Sequence, residues 1–206
     1  RTHLRLDPGA ARKRAIDFLA EVGIPAPEAR IDQYPHQFSG GMRQRVVIAL
    51  ALCAEPSLVI ADEPTTALDV SIQAQILDLL KRMCRDHGAA VILVTHDMGV
   101  IAETADRVAV MYSGRVVEIG PVEKVVRDPR HPYTLGLMQS IPRVGSGVQR
   151  LTQIDGAMPR LTDLPPGCAF HPRCPRAFAE CRATRPAPLP VEGGHVACHL
   201  YQGEPA

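Results

Sequence analysis

The sequence predicts an α/β fold built on a parallel sheet. Two short runs, "LVIAD" at 58–62 and "AAVILVTHD" at 89–97, are rich in branched apolar residues, and an amphipathic helical pattern at 70–88 lies between them. Continuous apolar runs of this length are typical of strands that are buried on both faces of a parallel sheet. The order strand, helix, strand supports the same fold class.

Two further helices are predicted before the first strand. Residues 8–23 carry apolar side chains at helical spacing and end at a glycine, and a proline-rich connection follows at 24–38. The segment "MRQRVVIALALCAE" reads as a second helix, which begins at Ser39 or one of the two glycines after it and ends before Pro56.

The chain after the second strand divides at about residue 140. "MGVIAETAD" predicts a short helix, and "RVAVMYSGRVVEIG" predicts a β-hairpin whose turn is Ser113-Gly114. From Ile141 onwards Pro, Gly, Arg and Cys dominate and the periodicity fades, which places a boundary near Pro142.

Composition narrows the function classes. A length of 206 residues suits one sizeable domain, or one domain with a small appendage, and a net charge of +1 does not favour a nucleic-acid partner. Trp is absent and aromatic residues make up 4%, so no platform for stacked bases is visible. No run of 18 apolar residues occurs and the first residues lack an apolar core, so neither a membrane span nor a signal peptide is expected.

Adjacent carboxylates follow the first predicted strand in "VIADEP". Because ligands collect at the carboxyl ends of parallel strands, Asp62 is placed to hold Mg²⁺, usually through water. Glu63 is placed to polarise an attacking water. Taken alone, such a pair more commonly caps a strand end.

Two neighbouring features fit a phosphate site. Ser39, Gly40 and Gly41 open a helix, where free N–H groups and the helix dipole favour an anion. His96 follows the second strand, so it is expected beside Asp62 and Glu63, where it could contact a γ-phosphate. The alternative for Ser39–Gly41 is an ordinary helix start that binds no ligand, and the alternative for His96 is a purely structural role.

Four motifs in register resemble the ATP-binding subunit of an ABC transporter. "FSGGMRQR" resembles the signature motif, "LVIADEP" Walker B, "TTALD" the D-loop and "VILVTHD" the switch-histidine motif. The resemblance implies the C-terminal part of a P-loop NTPase of the ABC type. The residues that it assigns to ATP are Ser39, Gly40, Gly41, Met42, Asp62, Glu63, Asp69 and His96.

The roles implied by the resemblance differ along the chain. The signature residues would contact the γ-phosphate of an ATP that is held mainly by the opposite subunit, and Asp69 would lie in the D-loop across that interface. Asp62 would support Mg²⁺, Glu63 would be the general base and His96 the γ-phosphate sensor. Met42 stands where Gln is commoner, a variant that is typical of one branch of the family.

The phosphate-binding loop of this family is not matched. No G-x-x-x-x-G-K-[ST] segment occurs, since none of the three lysines follows a glycine. The Gln loop and the aromatic residue that stacks on adenine are also unmatched; in the family all three precede the signature. We therefore expect a C-terminal portion of a longer ATPase, which alone is inactive and binds ATP poorly. A naturally split subunit is the alternative.

The cysteines fall into two groups. Cys53 and Cys84 lie in predicted helices and are expected to be inert core residues. The other four, Cys168, Cys174, Cys181 and Cys198, are spaced C-x5-C-x6-C-x16-C in a proline-rich segment. Four such thiols predict a metal staple, either Zn²⁺ or a [4Fe–4S] cluster, whereas disulfides are disfavoured in a reducing compartment. The histidines nearby, His171, His195 and His199, are expected to support the site or lie at the surface.

A second resemblance covers the tail. "RHPYTLGLMQSIP" and "CAFHPRCPRA" resemble the C-terminal extension of the oligopeptide/dipeptide branch of ABC ATPases, members of which carry a [4Fe–4S] cluster there. The resemblance favours the cluster over zinc, in a structural role. The expected organisation is then the end of a helical subdomain at 1–38, an ATPase core at 39–141 and the extension at 142–206.

The implied function is ATP hydrolysis that powers an importer for dipeptides or oligopeptides, at the cytoplasmic face of the membrane. The implied partners are a second ATPase subunit, typically a paralogue, two transmembrane permeases and, indirectly, a substrate-binding protein, with no nucleic acid. One alternative is a non-transport ABC ATPase, but neither long heptads nor a basic surface is present. The other is an inactive fragment with a structural metal site, against which the intact Glu63 and His96 argue.

Overall fold

The computed structural model describes residues 4–66, 68–141 and 153–202. They form two compact units, which divide between His96 and Asp97. The first unit contains a parallel strand pair covered by helices, so the predicted α/β class is confirmed. The second unit contains an antiparallel sheet with short helices.

Across residues 4–66 and 68–96, the described part of the first unit, there are four helices and two strands. They are α1 (Pro8–Glu21), α2 (Pro27–Arg30), α3 (Gly40–Leu52), β1 (Leu58–Asp62), α4 (Val70–Asp86) and β2 (Ala90–Val94), with a 3₁₀ turn at Pro35–Gln37. Strands β1 and β2 pair in parallel, from Leu58 opposite Ala90 to Asp62 opposite Val94.

Local sequence signals set the helix ends. The Asp7 carboxylate caps α1 by accepting the N–H groups of Gly9 and Ala10, because the first turn of a helix leaves such donors without partners. Beyond α4, Gly88 takes a φ of +67°, the left-handed conformation that glycine adopts most easily. The apolar faces of these helices meet in one core, whose most buried members are Val22, Leu52, Ile76, Met83 and Cys84.

The prediction that both faces of the parallel strands are buried is wrong, since every second residue of β1 is exposed and no residue of β2 is fully buried. In β1, Val59 and Ala61 are buried, whereas Ile60 between them is 66% exposed. In β2, Ile92 is 49% exposed. The core helices of this unit pack against one side of the strand pair. A continuous apolar run shows that both faces of a strand can be buried. It does not determine whether other elements pack against both faces.

In the described residues of the second unit, 97–141 and 153–202, there are four helices and four strands. They are α5 (Met98–Thr104), β3 (Arg107–Tyr112), β4 (Arg115–Pro121), α6 (Val122–Arg127), α7 (Pro132–Gln139), α8 (Ala179–Ala183), β5 (Leu189–Val191) and β6 (Gly194–Val196), with 3₁₀ turns at His171–Arg173 and His199–Tyr201. The predicted hairpin is confirmed as β3 and β4. Its turn residues, Ser113 and Gly114, both have positive φ, which suits the twist of a tight hairpin.

The C-terminal segment joins the same sheet as the hairpin. The strand order is β3-β4-β6-β5, and Val196 of β6 lies opposite Glu118 of β4. Gly194 permits this pairing, since a Cβ there would lie 1.9 Å from the carbonyl oxygen of Ile119. The boundary predicted near Pro142 lies outside the described residues.

Candidate functional sites

Strand pairing brings the predicted catalytic residues to one edge of the parallel pair. Asp62 ends β1 opposite Val94, and the N–H of Glu63 donates to the carbonyl oxygen of Val94 at 2.8 Å. His96 follows two residues after Val94. Asp62, Glu63 and His96 therefore share the carboxyl-terminal edge, where ligands of parallel sheets bind.

The Glu63 carboxylate has two side-chain donors. Its Oε2 accepts the hydroxyl of Thr66 at 2.8 Å, and its Oε1 lies 2.9 Å from Nδ1 of His96. The hydroxyl and then the imidazole hold the pKa of Glu63 below its usual value. Glu63 also has a φ of +43°, a backbone conformation that is strained for a residue with a Cβ.

This geometry fixes the histidine tautomer. An ionised carboxylate only accepts hydrogen bonds, so Nδ1 of His96 carries the proton that it shares with Glu63. The side chain of His96 is 84% exposed, so the rest of the ring faces solvent beside the strand end. Thr66 was missed as a site residue from sequence. The signal was present, since a hydroxyl three residues after Glu63 can turn back to its carboxylate.

The carboxylate of Asp62 is available to bind a ligand. It is exposed, and it makes no hydrogen bond or ion pair with any other described residue. Mg²⁺ usually binds proteins through one or two carboxylates together with substrate phosphates and water. The carboxylate of Asp62 therefore fits a Mg²⁺ ion that is delivered with a nucleotide.

The predicted signature residues form the start of α3. Ser39 is the N-cap, and its Oγ accepts the N–H of Met42 at 3.3 Å. A Cβ on Gly41 would lie 3.1 Å from Cγ2 of Ile72, and one on Gly40 would lie 3.6 Å from Cδ2 of Leu68. The two glycines thus allow α3 to pack closely against the start of α4.

The D-loop residue lies near that helix start. Asp69 occupies the N-cap position of α4, yet its exposed side chain makes no capping hydrogen bond. Its neighbour Leu68 faces Gly40. The starts of α3 and α4 form one candidate half-site, and the Glu63–His96 edge forms another.

The second unit brings the four tail cysteines to one pocket. The residues that line it are Cys168, Cys174, Cys181, Cys198, His131, Pro132, Phe170, His171, Arg176, His199 and Leu200. Burial raises the pKa of the Cys168 and Cys174 thiols and raises that of Cys198 to about 11. His195 lies outside this lining, and His131 was not predicted to be in it.

Backbone N–H groups are aimed at three of the sulfurs. Hydrogen bonding from the backbone N–H groups of Phe170 and His171 acts to lower the pKa of Cys168, that from Arg176 the pKa of Cys174, and that from Leu200 the pKa of Cys198, against the larger effect of burial. Each of these hydrogen bonds lowers the pKa of the thiol that accepts it, and so favours the thiolate. Hydrogen bonds to ligand sulfurs are the outer-shell contacts that stabilise metal–thiolate sites.

A metal site needs its donor atoms close together around one ion. A single Zn²⁺ with Zn–S bonds of about 2.3 Å needs four sulfurs only about 4 Å apart. Within residues 4–66, 68–141 and 153–202, no three His, Cys, Asp or Glu side chains are arranged to hold a metal ion. The pocket that the four cysteines line is therefore not arranged as a metal-binding group in this structure.

Comparison with protein families gives two matches. The model described as "ABC transporter" matches residues 2–66, and the model described as "Oligopeptide/dipeptide transporter, C-terminal region" matches residues 117–181. The first match includes the signature and the Asp62–Glu63 pair, and the second includes three of the four tail cysteines.

Curated relatives are similar over nearly the whole chain. The dipeptide transport ATP-binding protein DppD of Bacillus subtilis is 54% identical, over 96% of this chain and 59% of its own length. The oligopeptide transport ATP-binding protein AppD of the same organism is 48% identical, over 99% of this chain and 62% of its own length. The chain thus spans about three fifths of these relatives.

A solved structure supports the fold. CbiO1 from Clostridium perfringens, part of the ABC transporter complex CbiONQ, is 34% identical, with a TM-score of 0.54 over 62% of this chain and 49% of its own. The resemblance read from the motifs is confirmed by these comparisons.

Proposed function

This chain belongs to the family of ATP-binding proteins of oligopeptide and dipeptide ABC transporters, and we propose that it carries the hydrolytic half-site of an importer ATPase. The observation that carries the proposal is the edge at which Glu63, bonded to His96 and Thr66, lies next to the unpaired Asp62. A general base, a sensor of the reacting phosphate and a Mg²⁺ ligand are the groups that phosphoryl transfer to water needs.

The roles proposed for these residues follow from their contacts. Glu63 is ionised at neutral pH, and the contacts that lower its pKa favour that form, in which the carboxylate can accept the proton of an attacking water. His96 holds one carboxylate oxygen in place and keeps the far side of its ring free for a phosphate oxygen. Asp62 supports the Mg²⁺ that accompanies ATP and neutralises phosphate charge.

The two half-sites are proposed to work in a dimer. Ser39, Gly40, Gly41 and Met42 begin a helix whose N–H groups and dipole favour a phosphate. By the resemblance to ABC ATPases, we assign them to the nucleotide of a second ATPase subunit, with Asp69 at the interface. Residues 1–206 contain no phosphate-binding loop motif, so the chain alone is proposed to be inactive.

The whole protein is proposed to power peptide uptake. In the described part of the chain, none of the helices combines the length and apolar character that crossing a bilayer demands. As partners we propose a second ATPase subunit, two permeases and a substrate-binding protein, with the ATPase docked at the cytoplasmic face, by similarity to the transport ATP-binding proteins. Dipeptides and oligopeptides are the proposed cargo, by similarity to DppD and AppD.

The four tail cysteines are proposed to hold a [4Fe–4S] cluster in a structural role. The shared pocket and the N–H groups aimed at three sulfurs support this assignment. Cys198 closely follows the sheet strand β6, while Cys168 and Cys181 are already joined through the backbone at 2.9 Å. A cluster would therefore tie the irregular segment to the sheet. Zinc is the alternative outcome of a metal analysis.

The test uses the full-length subunit, assembled with its permeases in lipid vesicles. Glu63→Gln should bind ATP normally but lose hydrolysis by about 100-fold or more and abolish uptake, since general-base catalysis contributes about 10²–10⁴-fold. The control Glu103→Gln changes an exposed glutamate of α5 and should keep both activities. Peptide uptake that continues in the Glu63→Gln complex would refute the proposal.

A further inference from the structure

Arg45 lies in the helix α3 and contacts both α1 and α4. Its Nη1 donates to the carbonyl oxygen of Val22 at 2.7 Å, and its Nη2 lies 3.5 Å from Oε1 of Gln75. Val22 is the C-cap residue of α1, and Gln75 lies in the second turn of α4. One side chain therefore joins three helices of the first unit.

The contact with Val22 is the stronger of the two. A charged donor makes a shorter and stronger hydrogen bond, and the carbonyl groups at the end of a helix carry its partial negative charge. The contact with Gln75 is weak, because it lies at the upper limit of hydrogen-bond distance and the residue is exposed. Arg45 itself is half-buried. It therefore ties α3 mainly to the end of α1.

A glycine leaves room for this contact. Gly23 follows Val22 with a φ of +79°, and a Cβ there would lie 3.0 Å from Nη1 of Arg45. A side chain at this position would push the guanidinium away from its acceptor. Gly88, just beyond α4, has a similar φ of +67°, but a Cβ there would meet no atom of the described chain within 4 Å, its own sequence neighbours aside. The two glycines share a backbone conformation, and of the two only Gly23 lies against Arg45.

The direction of α3 matters because its start carries the proposed phosphate contacts. The first turn of a helix leaves N–H groups without intrahelical acceptors, and Gly40 and Gly41 begin α3. Arg45 lies about 7.5 Å along the axis from Gly40. A tilt of about 10° at Arg45 would move these N–H groups by about 1.3 Å. A misplacement of about 1 Å can lower a reaction rate by about 100-fold.

Packing against α4 fixes the start of α3 only in part. Gly40 and Gly41 let the two helices approach closely, but they contribute no side chains to the contact. Interlocking side chains are what set the angle between packed helices, so this contact fixes the distance better than the direction. The hydrogen bond from Arg45 to α1 supplies a second fixed point.

We propose that Arg45 is a positioning residue: by tying α3 to the end of α1, it holds the N–H groups of Gly40 and Gly41 where they can bind a phosphate, and so sets the affinity of the assembled ATPase for ATP. This inference rests on the proposed ATPase function. Loss of the tie weakens ATP binding, whereas the Glu63–His96 pair at the strand edge keeps its geometry.

The experiment measures ATP hydrolysis against ATP concentration, with the full-length subunit assembled with its permeases in lipid vesicles. Arg45→Met keeps an apolar stem but removes the donors, and we expect KM for ATP to rise about tenfold while kcat stays nearly constant. Arg45→Lys keeps one charged donor for the carbonyl oxygen of Val22 and should restore most of the affinity. The matched control Arg82→Met removes an exposed arginine of α4 and should change neither constant.

A second comparison leaves Arg45 unchanged and covers the case in which Arg45→Met does not assemble. Gly23→Ala and Gly88→Ala both place alanine in the left-handed region, so both carry backbone strain. Only Gly23→Ala also displaces the guanidinium. KM should therefore rise in Gly23→Ala and keep its wild-type value in Gly88→Ala.

The split between KM and kcat distinguishes positioning from a loss of folded protein. Misfolding lowers the number of active sites and hence kcat, but it does not weaken ATP binding at the sites that remain. A lower kcat at unchanged KM in Arg45→Met and Gly23→Ala overturns the proposal, as do equal KM values in Arg45→Lys and Arg45→Met. A wild-type complex that hydrolyses no ATP refutes the proposed function, whereas an active wild type with unchanged KM in the variants refutes only the role of Arg45.

Discussion

His96 donates from Nδ1 to Oε1 of Glu63 at 2.9 Å, and so joins the ends of two neighbouring parallel strands. A second histidine–glutamate pair of equal length lies elsewhere in the same unit, between Nε2 of His87 and Oε1 of Glu21. The two pairs are alike in chemistry. They differ in place, since His87 caps the end of α4, whereas His96 lies beside the carboxylates predicted to bind Mg²⁺ and water.

This pairing gives a matched test of the switch histidine. His96→Ala in the assembled full-length complex should lower the ATP hydrolysis rate by about 100-fold, because Glu63 loses its fixed orientation and the phosphate loses a contact. His87→Ala deletes an equivalent pair and should leave the rate unchanged. Equal rates for wild type and His96→Ala would contradict the role given to this contact.

Thr66 should help to determine the pH below which kcat/KM for ATP hydrolysis falls. Its hydroxyl is the largest cause of the lowered pKa of Glu63, so Thr66→Val should raise that pKa towards the usual range. A base with a higher pKa is protonated at higher pH, and the acid limb of kcat/KM should move upwards in pH accordingly. Thr66→Ser keeps the hydroxyl and should keep the limb in place. An unmoved limb in Thr66→Val would mean that another group governs it.

Much of this edge could be predicted from sequence, for a simple reason. Parallel pairing of two apolar runs forces their carboxyl ends together, so Asp62, Glu63 and His96 had to converge once the strands were recognised. The helix start at Ser39 could be read in the same way, since a short hydroxyl side chain before a helix is a local signal.

Other features depend on contacts that no local pattern encodes. Ile60 and Ile92 have the same apolar character as core residues, and only the packing of the unit determines that their face is open. Glu118 and Val196 pair across strands far apart in the chain, and that pairing is what brings the tail onto the sheet. His131 enters the cysteine pocket because Glu118 holds its backbone, a tertiary contact with no signature in the sequence.

Gly194 should be essential for docking of the tail hairpin. An alanine Cβ there would lie 1.9 Å from the carbonyl oxygen of Ile119, closer than any non-bonded contact allows. We expect Gly194→Ala to lower the free energy of unfolding by about 2–4 kcal/mol, because strand β6 must move away from β4. Thermal unfolding would measure this loss, and amide exchange at Ala197, whose N–H now bonds to Val117, should accelerate. His195→Ala, on the same strand but exposed, should change neither quantity.

Cysteine substitution should separate the metal site from the rest of the protein. Cys198→Ser removes one of the four pocket thiols, and the remaining three cannot complete the ligand set of a [4Fe–4S] cluster. Iron and sulfide should fall from about four of each per chain to a small fraction, as measured in protein purified without oxygen. Cys53→Ser changes a half-buried cysteine in the other unit and should retain full iron.

Because the cluster is expected to tie the tail to the sheet, Cys198→Ser should also expose the 189–196 hairpin to proteolysis. Stoichiometric zinc in the wild type, lost in Cys198→Ser, would instead identify a zinc staple held by the same thiols.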